Sequence, residues 1–106
     1  MKILAVTACP SGVAHTYMAA EALEKGAKSR GHEVKVETQG SIGIENEIKK
    51  EDILDADVVI LTKDMAIKNK ERFEGLPIVN VAIGDVIKKT LPLLEKVEAY
   101  VVSKQK

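Results

Sequence analysis

The 106-residue chain has one cysteine, no tryptophan, one phenylalanine, two tyrosines and three prolines, and its 16 basic side chains balance 16 acidic ones. Each shortage excludes something. A lone cysteine makes no internal disulfide, and with two scattered histidines it cannot furnish a four-ligand zinc site, so whatever Cys9 does it does as a thiol. Zero net charge leaves no electrostatic footprint for a nucleic acid or an anionic membrane surface. No apolar run approaches the roughly 18 residues of a membrane span, and the N-terminus lacks the charged segment and small-residue cleavage site of a secretory leader. A cytosolic chain is expected, with no metal and no other cofactor.

What remains is an ordinary globular composition, 45% apolar and 30% charged, at a length that suits one domain over residues 1–106. Residues 2–8 are apolar and β-branched without a turn residue, as in a strand buried on both faces. A helix follows from about Ala14 to Ser29, with Met18, Ala22 and Leu23 at helical spacing and Gly31 as its stop. In Glu33–Thr38, Val34 and Val36 alternate with charges, which predicts an edge strand with one wetter face. Residues 39–43 read as a loop with a tight turn at Gly40 and Gly43, and Asn46–Lys50 as polar with weak helical character. A short helix over 51–57 leads to a third strand, Val58–Leu61, and residues 65–73 support one or two helical turns. Ile78–Ile83 is the fourth strand. Asp85 then caps a final helix from about Val86 to Val102, with Ile87, Leu91, Leu94 and Val101 as its buried stripe and a kink expected at Pro92.

This βαβαβαβα order predicts a three-layer α/β fold: an open parallel four-stranded sheet, order 2-1-3-4, with helices on both faces. The crossovers of the first and third strands diverge, so a crevice opens at their carboxyl ends, where open α/β sheets bind ligands. Cys9 leaves the first strand at that point, followed by Pro10, Ser11, Gly12, Val13, Ala14, His15 and Thr16. A sulfur placed before a short loop and a helix start is where thiolates are stabilised and oxyanions bound. Pro10 has no N–H, so the cradle comes from the amides of residues 11–16; Gly12 permits close approach, and Ser11 and Thr16 offer hydroxyls, Thr16 equally a helix cap. His15 stands six residues after Cys9, where cysteine-dependent phosphatases place the arginine that grips phosphate. Without that fork and without an evident general acid, transfer fits better than hydrolysis. A small phosphatase and a redox-sensing binding module are the competing readings. Asp64 suits a helix cap or a partner contact. Arg72-Phe73 reads as a packed aromatic beside a solvated cation, and His32 as a surface residue. Gln39 and Ser41 are secondary candidates for contact with the loop.

The run ACPSGVAHTYMAAEALE resembles the active-site segment of the fructose-specific IIB domains of the bacterial phosphoenolpyruvate-dependent sugar phosphotransferase system, typically CPTGIAHTYMAAEAL. The likeness extends to VETQGSIG at 36–43, to the aspartate at 64 and to RFEG at 72–75. Ser11 replaces a frequent threonine and keeps the hydroxyl; Val13 replaces a frequent isoleucine. The resemblance implies that Cys9 takes a phosphoryl group from a phosphohistidine of a IIA domain and passes it to a sugar bound in the membrane IIC domain. It implies a cytoplasmic subunit that associates with a permease without inserting in the membrane, and a docking surface for which Tyr17, Met18, Met65, Arg72 and Phe73 are candidates. Met1 directly before the first strand suggests a free-standing subunit.

Overall fold

The computed structural model describes residues 1–8, 13–40 and 43–104; Cys9, Pro10, Ser11, Gly12, Ser41 and Ile42 lie outside the described residues, as do 105–106. The elements are β1 (Lys2–Thr7), α1 (Val13–Ser29), β2 (Glu33–Gly40), β3 (Gly43–Glu45), α2 (Lys50–Leu54), β4 (Val58–Thr62), a 3₁₀ turn (Lys70–Phe73), β5 (Ile78–Val81), α3 (Ile83–Lys88) and α4 (Thr90–Lys104). They form one five-stranded sheet in the order β3-β2-β1-β4-β5. Four strands are parallel, and β3 is an antiparallel edge on β2 with Gly40 opposite Gly43. The expected order 2-1-3-4 is thus present with one strand added, from residues expected to be loop. A short hairpin with glycines at its base has no apolar alternation to announce it.

The central strands bury both faces because every residue from Ile3 to Thr7 and from Val58 to Thr62 is apolar or threonine. Ile3 and Ala5 of β1 with Val58 and Ile60 of β4 pack on α1, α3 and α4, while Leu4, Val6, Val59 and Leu61 pack on Ile48, Ile67 and Phe73. The first face carries the long helices. The second is covered by α2, the 3₁₀ turn and irregular backbone, so of residues 65–73 only the last four are helical, and 47–49 are not helical at all.

That thin cover explains a correction in β2. Val36 joins the helical face as expected, but Glu37 on the other face is fully buried rather than wet. Irregular backbone laid on a sheet carries N–H and C=O groups that no ladder satisfies, and polar side chains must satisfy them. Glu37 Oε1 accepts from Ile48 N–H at 2.8 Å, and Glu37 Oε2 accepts from Gln39 Nε2 at 2.8 Å and Arg72 Nη2 at 2.6 Å. Arg72 Nη1 also donates to Ile48 O at 3.0 Å, and its guanidinium stacks 4.6 Å from the Phe73 ring centroid. Arg72 is therefore a partly buried ion-pair partner rather than a solvated cation, and Phe73 is fully buried. Burial pushes the Glu37 carboxyl up, but the hydrogen bonds from Arg72, Gln39 and Ile48 outweigh it and hold the group below the usual carboxylate range.

Helix α1 ends as its sequence predicts. His32 N–H reaches Ala27 O and Gly31 N–H reaches Lys28 O at 3.0 Å each, with Gly31 at φ 81°, a closure that glycine takes without strain. Its buried face is Thr16, Ala19, Ala20, Leu23 and Ala27; Met18 points outward. Gly26 lets α4 approach closely. A Cβ there would stand 2.9 Å from Leu94 Cδ1 and from Thr90 Cγ2, and Leu94 is fully buried. Gly26→Ala gains about 1 kcal/mol of helix propensity and loses about 1–3 kcal/mol to overpacking, so urea denaturation is expected to show a net loss of about 1 kcal/mol. The single final helix divides in two at Lys89, the C-cap of α3. Pro92 falls in the first turn of α4, where its missing N–H costs nothing, so no kink forms at it; the buried stripe runs through Leu93, Leu94, Val97 and Val101 and leaves Leu91 half exposed. No helix among the described residues is long and apolar enough to cross a membrane.

At the amino end of the sheet His32 is not a bare surface residue. Glu98 Oε2 lies 2.7 Å from His32 Nε2 and accepts from Arg30 Nε at 2.5 Å, and the Met1 amino group lies 3.3 Å from His32 Nδ1. The bonds from Arg30, then His32, hold the Glu98 carboxyl down at about 2, against an ordinary 4.5. Between those values the folded chain binds fewer protons than the unfolded one. The contribution is complete above about pH 4.5 and is lost as pH falls towards 2. With water screening its exposed side it amounts to about 1–2 kcal/mol. Glu98→Gln is expected to lower stability by that amount at pH 7 and to leave it unchanged near pH 2, as read by denaturant titration at both values.

Candidate active site

The carboxyl ends of β1 and β4 meet at the point where the crossovers diverge, and a threonine from each fixes the exit of β1. Ala8 N–H donates to Thr62 Oγ1 at 3.0 Å, and Thr62 Oγ1 donates to Ala8 O at 3.2 Å, which extends the pairing one step beyond the last ladder pair, Val6 with Leu61. Thr7 Oγ1 donates to Thr16 O at 3.2 Å and pins the first turn of α1 beside the same strand end. All three threonines are buried. Residue 9 follows directly.

Helix α1 begins at Val13, so the N–H groups of its first turn lie at the positive end of its dipole. Thr16 is the fourth residue of the helix and not its cap. Its hydroxyl is buried and has no hydrogen-bond partner among the described residues. Ala14 and His15 are exposed. Cys9, Pro10, Ser11 and Gly12 belong to the undescribed residues, so of the eight expected site residues the structure places Val13–Thr16 alone.

The opposite wall was only hinted at in the sequence. Gln39 is buried and clasps Lys68 as a strand would: Lys68 N–H donates to Gln39 Oε1 at 2.9 Å, and Gln39 Nε2 donates to Lys68 O at 3.1 Å. Between this clasp and Ala8 lies a cavity of about 60 Å³, lined also by Ile44, Met65 and Ala66. Tyr17, Met18, Ile44 and Met65 leave substantial apolar surface exposed around this end. The Tyr17 hydroxyl donates to the Glu45 carboxylate. Phe73, expected on a docking surface, is buried instead, and Arg72 is partly buried in its pair with Glu37. Asp64 is a cap at a distance: its Oδ1 accepts from Ile83 N–H at 2.7 Å at the start of α3, whereas Asp85 lies within the first turn of that helix and caps nothing. A larger cleft, about 300 Å³, lies along the free edge of β5, flanked by Lys63, Lys89 and Lys96. Lysines on an open strand edge discourage pairing with other chains.

The geometry can be set beside known proteins. The family model described as "PTS system, Lactose/Cellobiose specific IIB subunit" matches residues 4–96. The chain is 65% identical over 99 residues to the PTS system fructose-like EIIB component 2 of Escherichia coli (strain K12), covering 93% of each. Its fold is similar to the solution structure of an Enzyme IIB subunit of the PTS system from Escherichia coli K12, with a TM-score of 0.89, 39% identity and coverage of 99% of this chain and 97% of that one. A crystal structure of a domain from the fructose-specific IIABC component of Borrelia burgdorferi superposes with a TM-score of 0.84 at 49% identity, over 90% of each chain. The chain belongs to the IIB family of the phosphotransferase system, as a fructose-like phosphotransfer component.

Proposed function

We propose that Cys9 is a transient phosphoryl carrier between a IIA donor and a sugar held by a membrane IIC acceptor, at the cytoplasmic face of the membrane. The observation that carries the reading is the frame around residue 9. It follows a strand end tied to Thr62 and lies four residues before the N-terminus of helix α1, whose buried Thr16 hydroxyl has no hydrogen-bond partner among the described residues. Such a frame favours a thiolate and an oxyanion.

In the first step the Cys9 thiolate attacks phosphorus in line. The S–P bond forms as the P–N bond of the donor's phosphohistidine breaks, and a histidine protonated on its other nitrogen leaves as neutral imidazole. The loop and helix N–H groups stabilise the equatorial oxygens. In the second step a sugar hydroxyl oxygen attacks phosphorus, its proton passes to a base on the acceptor domain, and the S–P electron pair returns to sulfur. A thiol of low pKa serves as nucleophile in one direction and leaving group in the other.

Hydrolysis is disfavoured by where the nearby carboxylates are spent: Asp64 on Ile83, Glu37 on Arg72 and Glu45 on Tyr17. The relatives' names point to fructose as the sugar, with mannose or a mannosyl derivative as the comparison. The test is reconstitution with phosphoenolpyruvate, the general phosphotransferase proteins, a IIA domain and vesicles bearing the IIC domain. Formation of fructose phosphate that depends on this chain is expected, and fructose phosphate formed equally in its absence contradicts the reading.

A further inference from the structure

A phosphoryl group on sulfur is a dianion at neutral pH, and the loop expected to hold it has His15 where a phosphatase has arginine. Backbone amides supply partial charges alone. A lysine outside the loop can add a full compensating charge.

The cavity against Ala8 has the required character. With a volume of about 60 Å³ it has room for a small polar group. Its walls are glycine, alanine, isoleucine, methionine and one amide, and Lys68 is the single ionisable residue that lines it among those described. Arg72, the other cation of this wall, is neutralised by Glu37. Lys68 enters none of the ion pairs among the described residues and is exposed, so its ammonium remains available.

Both backbone polar groups of Lys68 are also tied to one side chain. Gln39 bonds both its N–H and its C=O, Glu37 fixes Gln39, and Arg72 and Ile48 fix Glu37. The chain of bonds runs from β2 to the base of the Lys68 side chain. It sets where that side chain starts relative to Ala8, the residue before Cys9.

We propose that Lys68 pairs with the phosphoryl group carried by Cys9, and that Gln39 is its positioning residue. The proposal rests on the reading of Cys9 as the carrier. The lysine's positive charge lowers the cost of gathering negative charge as the group arrives. Opposite charge nearby favours the dianion, so it depresses the second ionisation of the phosphoryl group.

The test is a ³¹P NMR pH titration of the phosphorylated chain together with the rate of phosphoryl uptake from the IIA domain. Lys68→Met is expected to raise the apparent pKa of the phosphoryl resonance by about half a unit and to slow uptake about tenfold, with Lys68→Arg close to wild type. Gln39→Met is expected to move the titration in the same direction, and to add nothing in the Lys68→Met background, because it acts through the lysine. A purely structural role for Gln39 leaves the titration unmoved. If the wild-type chain takes up phosphate and Lys68→Met titrates and reacts as wild type does, the proposal is overturned while the carrier reading stands. If the wild-type chain takes up no phosphoryl group, both fall.

Discussion

Arg72→Ala is expected to remove about 3–5 kcal/mol of folding stability, a large share of the 5–15 kcal/mol typical of a domain. The size follows from what the substitution strands. Glu37 has no exposed surface, and its Oε2 would keep only the Gln39 amide. Ile48 O would lose its donor, and Phe73 the guanidinium stacked on its ring. A lone buried carboxylate is more expensive than the intact pair, which is why breaking such pairs is costly while replacing both partners is often mild. Here the double variant Glu37→Leu/Arg72→Met is expected to recover only part of the loss, because Ile48 N–H and the Gln39 amide also depend on Glu37. Urea denaturation of Glu37→Leu, Arg72→Met and the double variant measures the coupling. A loss below about 1 kcal/mol for Arg72→Ala would mean that the pair is solvated and that it contributes what surface pairs do.

Cys9→Ser is expected to leave stability nearly unchanged and to lower sugar phosphate formation by on the order of 10³-fold or more, the scale on which removing a nucleophile acts. The serine hydroxyl is similar in size but far less acidic. The helix N-terminus that favours a thiolate cannot bring an alcohol to ionise near neutral pH, and an alkoxide is the poorer leaving group for the second step. The measurement is the initial rate of fructose phosphate formation in the reconstituted system, with circular dichroism to show that the variant is folded.

The fold was legible where packing demanded a continuous pattern. Residues 3–7 and Val58–Thr62 are buried on both faces and hold no polar residue except threonine, so their place at the centre of the sheet could be read directly. The end of α1 was legible for another reason: Gly31 takes a backbone angle that other residues resist. Glu37 and Arg72 could not be read, because they lie 35 positions apart and each taken alone is a charge. Periodicity assigned Glu37 to a wet face, and nothing local says that irregular backbone will cover it. The break at Lys89 escaped for a related reason, since proline is a stronger signal in sequence than a cap without a side-chain bond, and Pro92 fell where a helix tolerates it. At the candidate site the motif supplied the expectation of Cys9 as nucleophile and of a loop over residues 10–16. It did not name Thr62 or the Gln39 clasp on Lys68, which are tertiary contacts across 54 and 29 positions.

The most direct measurement is the intact mass of the chain after incubation with phosphoenolpyruvate, the general phosphotransferase proteins and a IIA domain, followed by peptide mapping. One added phosphoryl group is expected, located on the peptide that contains Cys9 and absent from Cys9→Ser. No added mass, a phosphoryl group on another residue such as His15, or an alkali-stable group acquired by Cys9→Ser would contradict the carrier role.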